Sequence, residues 1–162
     1  YNSLEYNNSI SITIRNSNQY KERNTNFEEC IKFIDYVKSL KKFNIIIIPD
    51  TDNPSPVEDL KGIILSEAAA FDFDKRLAVY EYSNLNFFVN NGPCVASELN
   101  TNINTVMMKL VVPSVPHCTE EFIKWQGYEI GKSPKYNNKA NWIWENDSFE
   151  VMKDNFDDFF KI

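Results

Sequence analysis

The segment Asn44-Ile-Ile-Ile-Ile48, followed by Pro49, decides the fold class of this chain. Its four consecutive isoleucines show no polar alternation, and such a run is typical of a strand that is buried on both faces. Strands are buried in this way when helices cover both sides of a parallel sheet. The proline cannot donate a ladder hydrogen bond, so it marks the end of the strand. The segment therefore predicts a parallel sheet between two layers of helices.

The sequence around this segment predicts an alternation of strands and helices. Isoleucines alternate with Ser and Thr over 10–14, which predicts a strand, and Thr25 with Glu28 forms a capping-box pattern that predicts a helix over about 26–41. The same patterns predict strands over 85–89 and 105–112 and helices over 72–82, 93–99, 119–126 and from 147 onward. For 60–70, strand, turn and short helix stay open. The alternation predicts an α/β, Rossmann-like, doubly wound and mainly parallel sheet with helices on both faces, in one domain over 1–162.

Composition and charge disfavour several classes of protein. The chain has 162 residues, of which 43% are hydrophobic and 25% charged, as in an ordinary globular domain. Its net charge of -6 disfavours a nucleic-acid surface or an anionic membrane surface. No apolar run approaches the roughly 20 residues that a membrane-spanning helix needs. The sequence also lacks the glycine-rich motifs of dinucleotide sites and P-loops, so we expect no cofactor.

The cysteines indicate where in the cell the protein is located, and the first residue bears on whether the chain is a piece of a longer protein. Cys30, Cys94 and Cys118 are odd in number and widely spaced, which fits neither a disulfide framework nor a zinc ribbon. We expect reduced thiols and a cytoplasmic location. Because the chain begins with Tyr1, we also expect it to be a piece of a longer protein.

Two arginines lie in the loop that leaves the first predicted strand. Ligands of doubly wound sheets bind beyond the carboxyl ends of the strands, close to the point where the strand order reverses. Arg15 stands at the strand exit, and Arg23 and Asn24 come directly before the predicted helix. Guanidinium groups beside a helix N-terminus form an anion site, because fork-shaped donors and the helix dipole act together. Solvated loop arginines that pair with a carboxylate such as Glu22 are the alternative interpretation.

A second candidate loop follows the strand predicted over 85–89. Gly92 would let the backbone approach a ligand closely, while Asn91 and Ser97 fall near a helix start. The Asn-Gly-Pro sequence is also common in plain turns. Together with the arginine loop, this loop predicts a cradle for a diphosphate.

These segments together resemble a known enzyme family. They are Ile12-Thr-Ile-Arg15, Tyr20-Lys-Glu-Arg-Asn24, Arg76-Leu-Ala-Val-Tyr-Glu-Tyr82, Leu85-Asn-Phe-Phe-Val-Asn-Asn-Gly-Pro93 and Trp142-Ile-Trp-Glu-Asn-Asp-Ser148. The chain resembles the C-terminal, donor-binding half of a GT-B glycosyltransferase, near the heptosyltransferase- and fucosyltransferase-like groups. The resemblance implies a nucleotide-diphosphate sugar as ligand. It also implies that Arg15 and Arg23 face the phosphates and that Asn91, Gly92 and Ser97 line the same cleft.

The resemblance leaves the activity of this chain open. A complete GT-B enzyme has a second, N-terminal half that holds the acceptor, and we expect that half to be a missing partner of this chain. With it, the protein would transfer a sugar while basic side chains stabilise the departing diphosphate. Without it, the domain would bind a nucleotide sugar or a partner without turnover. No catalytic residue is predicted.

Other residue patterns allow different chemistry. Asp50 and Asp52 form a D-x-D after a hydrophobic strand, which would suit a metal-dependent transferase or a phosphatase, although acidic turn residues are commoner. We therefore predict no metal site. His117 is the single histidine and has no metal-ligand spacing around it. We interpret it as structural or as a polar contact at the cleft mouth.

Overall fold

A computed structural model describes residues 6–53, 57 and 60–162. Six parallel strands form one sheet in the order β3-β2-β1-β4-β5-β6. The strands are β1 (Asn8–Thr13), β2 (Phe43–Ile48), β3 (Ile64–Leu65), β4 (Leu85–Val89), β5 (Thr105–Met108) and β6 (Ala140–Trp142). The helices are α1 (Phe27–Ser39), α2 (Ala68–Phe71), α3 (Phe73–Tyr82), α4 (Cys94–Leu99), α5 (Glu120–Trp125) and α6 (Phe149–Phe160). This architecture confirms the predicted α/β, Rossmann-like parallel sheet.

The strand order puts the reversal between β1 and β4. From β1 the chain proceeds outward through β2 to β3, and it then returns to pair β4 with the other edge of β1. Loops that leave β1 and β4 therefore diverge at the carboxyl end of the sheet and open a crevice there. Residues that follow Thr13 and Val89 border this crevice.

One face of the sheet carries a purely apolar core under α1 and α6. Phe33 of α1 and Phe156 of α6 are fully buried, and their ring centroids lie 5.7 Å apart. The helix α1 begins one residue later than predicted, because Asn26 and not Thr25 caps it by accepting a hydrogen bond from the Glu29 amide. The Thr25 hydroxyl instead accepts one from the Arg15 amide at 2.9 Å. The capping-box interpretation is thus wrong in its residue, though the helix that it predicted is present.

The opposite face has a polar layer inside the core. Ser11 and Thr13 are buried, although their alternation with isoleucine would suit a strand with one exposed face. The Ser11 hydroxyl donates to Asn86 Oδ1 at 2.5 Å, and the hydroxyls of Thr13 and Tyr80 lie 3.1 Å apart. These bonds satisfy polar groups that the covering helices remove from water.

The largest difference from the predicted element boundaries is at the end of β5. Strand β5 ends at Met108 and does not continue to Val112, because Lys109 has a φ of +57° and turns the chain out of the sheet. The open segment 60–70 holds the short β3 and α2. The sequence over 50–59 is rich in Asp and Pro and predicts a loop, and this loop lies partly outside the described residues. Within the described residues, no helix is long and apolar enough to span a bilayer.

Candidate functional site

Two cavities lie at the carboxyl end of the sheet, on either side of the consecutive residues Asn90 and Asn91. The first, the β1–β4 cavity, has a volume of about 230 Å³ and is lined by Arg15, Arg76, Asn91 and Gly92 among others. The second, the α4–α5 cavity, has a volume of about 270 Å³, and Arg23 and Asn90 line it. Since consecutive Cα atoms are about 3.8 Å apart, the two cavities are close neighbours.

Arg15 stabilises the conformation of the loop over 15–24 through hydrogen bonds within that loop. Its Nη2 donates to the Gln19 carbonyl at 2.7 Å, and its Nη1 donates to the Tyr20 carbonyl and to Asn24 Oδ1. Burial lowers the pKa of the Arg15 guanidinium, and the nearby charge of Arg23 lowers this pKa further. A guanidinium has five N–H donors, so these three bonds leave two donors for a ligand in the β1–β4 cavity.

Arg23 points to the other cavity. Its Nη2 donates to the Asn90 carbonyl at 2.9 Å, and its Nη1 lies 3.0 Å from His117 Nε2. An N–H that donates to this ring nitrogen requires the neutral imidazole tautomer protonated at Nδ1. The Nε of Arg23 is buried without a hydrogen-bond partner among the described residues. Arg23 lies close enough to Arg15 to lower the pKa of Arg15, but the two arginines line separate cavities.

Asn24 is a structural link in this loop. Its side chain contacts both Arg15 and Ser17, and its carbonyl accepts a hydrogen bond from Lys109 Nζ at 2.7 Å. Lys109 also pairs with the buried Asp147 at 3.2 Å. The same carboxylate accepts the Asn26 amide at 2.6 Å. Asp147 therefore occupies the N-terminus of α1, where the sequence predicted an anion site.

The predicted residues of the second loop separate in the structure. Asn91 lines the β1–β4 cavity, and its Oδ1 accepts the Cys94 amide at 3.1 Å. Gly92 borders the same cavity, and a Cβ added there would meet no atom within 4 Å. Ser97 is fully buried, and its hydroxyl lies 2.5 Å from Thr105 Oγ1. Ser97 therefore lies between α4 and β5 and does not border either cavity.

Arg76 is a buried cation on the wall of the β1–β4 cavity. It is 7% exposed, and its Nε and Nη2 donate to the carbonyls of Ala69 and Ala70, each at 2.8 Å. In the part of the chain that the structure describes, every ion pair uses a lysine, and no arginine has a carboxylate within 4.0 Å. In the sequence, Arg76 appeared only as the first residue of one segment of the family resemblance, without a predicted role.

Asp50 and Asp52 line the β1–β4 cavity but direct their oxygens to the protein. Asp50 accepts the amides of Asn16 and Asp52, both at 2.8 Å, and Asp52 accepts the Ser17 hydroxyl at 2.9 Å. These bonds join the loops that leave β1 and β2. Across residues 6–53, 57 and 60–162, no cluster of three His, Cys, Asp or Glu side chains could hold a metal ion.

Glu98 is a buried carboxyl that sequence reasoning missed. It is 5% exposed, lines the α4–α5 cavity and accepts a hydrogen bond from the Tyr136 hydroxyl. Burial raises the pKa of Glu98 from 4.5 to about 7. A glutamate in a short helix carries no local signal of this environment, because the covering residues come from distant segments.

Comparisons with known proteins identify no family for this chain. No family model matches the chain, and no curated protein does. Among solved structures, a hypothetical protein from Mycobacterium tuberculosis is similar, with a TM-score of 0.43 and 7% sequence identity. The match covers 98% of this chain and 58% of that chain.

Proposed function

We propose that this domain binds a nucleotide-diphosphate sugar, with the diphosphate in the β1–β4 cavity. The observation that carries the proposal is Arg76, a residue that is 7% exposed and whose guanidinium has no carboxylate partner among the described residues. A buried charge is costly unless an opposite charge accompanies it, and two backbone carbonyls compensate it only in part. An anionic ligand in the cavity would supply the missing charge.

The surroundings of Arg76 support the same ligand. Arg15 has two unused donors at the same cavity, and Arg23 lies close enough to affect the pKa of Arg15. The two aspartates of this cavity already accept hydrogen bonds from the protein, Asp50 from the amides of Asn16 and Asp52, and Asp52 from the Ser17 hydroxyl. The position at the reversal of the strand order is where doubly wound sheets bind ligands.

The chemistry that this arrangement would perform is electrostatic. Fixed guanidinium groups would stabilise the negative charge that develops on the diphosphate as the bond to the sugar breaks. The acceptor and a base would come from the missing N-terminal half that the resemblance implies. In the absence of that half, the domain would bind the nucleotide sugar without turnover.

Calorimetric titration of the chain with UDP, GDP and ADP tests the proposal. Arg15→Ala and Arg76→Lys should each weaken binding about ten-fold or more, because a hydrogen bond to a charged group contributes about 1.5–3 kcal/mol. Lys21→Ala is the matched control, since it removes an exposed cation from the same loop and should leave the affinity unchanged. Equal affinities in all four proteins would refute the phosphate site.

A metal chelator tests the D-x-D alternative in the same titration. If Asp50 and Asp52 held a divalent cation that bridges to the phosphates, then EDTA would abolish nucleotide binding. We expect the affinity to stay the same in EDTA, because both carboxylates are already bonded within the protein.

A further inference from the structure

The α4–α5 cavity has the form of a site for a flat, mostly apolar group with polar edges. Met107, Leu110 and Ile123 give it apolar walls, and Tyr128 and Trp142 add a pair of aromatic rings with centroids 4.7 Å apart. Ligand sites are typically concave and apolar with a few polar groups that fix orientation. At about 270 Å³, the cavity suits a single ring system better than a whole nucleotide sugar.

The polar groups at this cavity have hydrogen-bonding capacity that the described residues do not use. Arg23 Nε and Trp142 Nε1 are buried donors without a partner. The Glu98 carboxyl has no cation within 4.0 Å among the described residues and accepts a hydrogen bond only from the Tyr136 hydroxyl. Buried donors without partners are rare in folded proteins, so Arg23 Nε and Trp142 Nε1 each indicate a contact with something else.

The neighbouring β1–β4 cavity indicates what that ligand is. Asn91 borders the β1–β4 cavity and Asn90 borders the α4–α5 cavity, so one molecule could place a diphosphate in the first and its base in the second. This step rests on the function proposed above. Aromatic rings are the usual stacking partners of bases, and a base edge carries both donors and acceptors.

In its ionised form, the carboxyl group of Glu98 would discriminate between bases. An ionised carboxylate only accepts hydrogen bonds, and it pairs best with two adjacent N–H donors. Guanine presents such a pair, N1–H and N2–H, on one edge. Uracil offers one N–H between two carbonyls that a carboxylate repels, and adenine offers an amino group beside a ring acceptor. We infer that the α4–α5 cavity binds guanine, with Glu98 accepting its two N–H donors, and that the ligand is a guanosine-diphosphate sugar.

Nucleotide preference in the full chain tests this inference. In calorimetric titrations at pH 8.5, which keeps Glu98 ionised, GDP should bind at least ten-fold more tightly than ADP or UDP. Glu98→Gln should reduce this preference to less than three-fold, because the amide presents a donor to one of the guanine N–H groups. Glu121→Gln makes the same charge change at an exposed position of α5 and should retain the preference.

The outcomes separate this inference from the proposed function. If the three nucleotides bind equally and Arg15→Ala weakens all of them, the phosphate site stands and the guanine site is refuted. A GDP preference that Glu98→Gln leaves intact also refutes it, and binding of no nucleotide refutes both. Should Glu98→Gln fail to fold, Val95→Trp replaces it: Val95 is 49% exposed at the cavity wall, and a large ring there should abolish the preference. An unchanged preference in Val95→Trp would again overturn the inference.

Discussion

Replacing Glu98 by Gln should make the stability of the domain less dependent on pH. The native pKa of Glu98 is about 7, raised from 4.5 by burial, so between these values the folded protein holds a proton that the unfolded chain releases. The free energy of unfolding contributed by this group is therefore full below pH 4.5 and declines as the pH rises to about 7. A glutamine has no proton to lose, and its Oε1 can still accept the Tyr136 hydroxyl.

The magnitude follows from the pKa shift. At about 1.4 kcal/mol per pKa unit, the rise from 4.5 to about 7 corresponds to roughly 3 kcal/mol. We expect about half of this, near 1.5 kcal/mol, because the carboxyl borders an open cavity from which water can solvate the charged form.

Urea unfolding of the wild type and Glu98→Gln at pH 5, 6, 7 and 8 measures this effect. The difference in unfolding free energy between the two proteins removes the contribution of the other acidic groups, and it should shift by about 1.5 kcal/mol in favour of the variant from pH 5 to pH 8. Glu121→Gln, an exposed control, should show no such trend. A difference that is constant across this range would refute the burial of an ionisable Glu98.

Three further predictions concern the packing of α6, the Lys109–Asp147 ion pair and the cap of α6. Phe156→Ala should lower the unfolding free energy by about 4 kcal/mol, because Phe156 is fully buried. Phe159→Ala should lower it by under about 1 kcal/mol, because Phe159 is 41% exposed. Equal losses in urea unfolding would contradict this packing. Asp147→Asn should cost about 2 kcal/mol, since it leaves Lys109 without its 3.2 Å partner, and a loss that disappears in 1 M salt would show an exposed pair instead. Ser148→Ala should cost about 1 kcal/mol by removing the cap of α6, whereas Ser148→Asp should restore the stability; failure of that rescue would exclude a capping role.

Local sequence patterns predicted most of the longer strands and helices, but they left β3 and α2 open and missed β6. The run Ile45–Ile48 predicted a strand buried on both faces because continuous hydrophobicity requires cover on both sides, and β2 is such a strand. Helices were also predicted from 72 and from 119, and in the structure the side chains of Asp72 and Thr119 cap them by accepting amides three residues further on. These interactions lie within a few residues of the chain, so the sequence displays them directly.

The sequence also indicated which loops border the crevice. In a parallel α/β sheet the loop after each strand emerges at the same end, so Arg15 and Asn91 were expected there from the element order alone. Both line the β1–β4 cavity. Whether they bind a diphosphate stays a prediction.

What the sequence by itself determined is therefore the parallel α/β architecture and the end of the sheet at which side chains gather, because both follow from short-range patterns. Only the tertiary structure decided the direction of individual side chains. It buries Ser97 against Thr105, separates Arg23 from the cavity of Arg15, and covers Glu98 with Tyr136. Each of these outcomes depends on which distant segment packs against the residue, and a chain in which the contacting residues lie up to 121 positions apart gives no local sign of that packing.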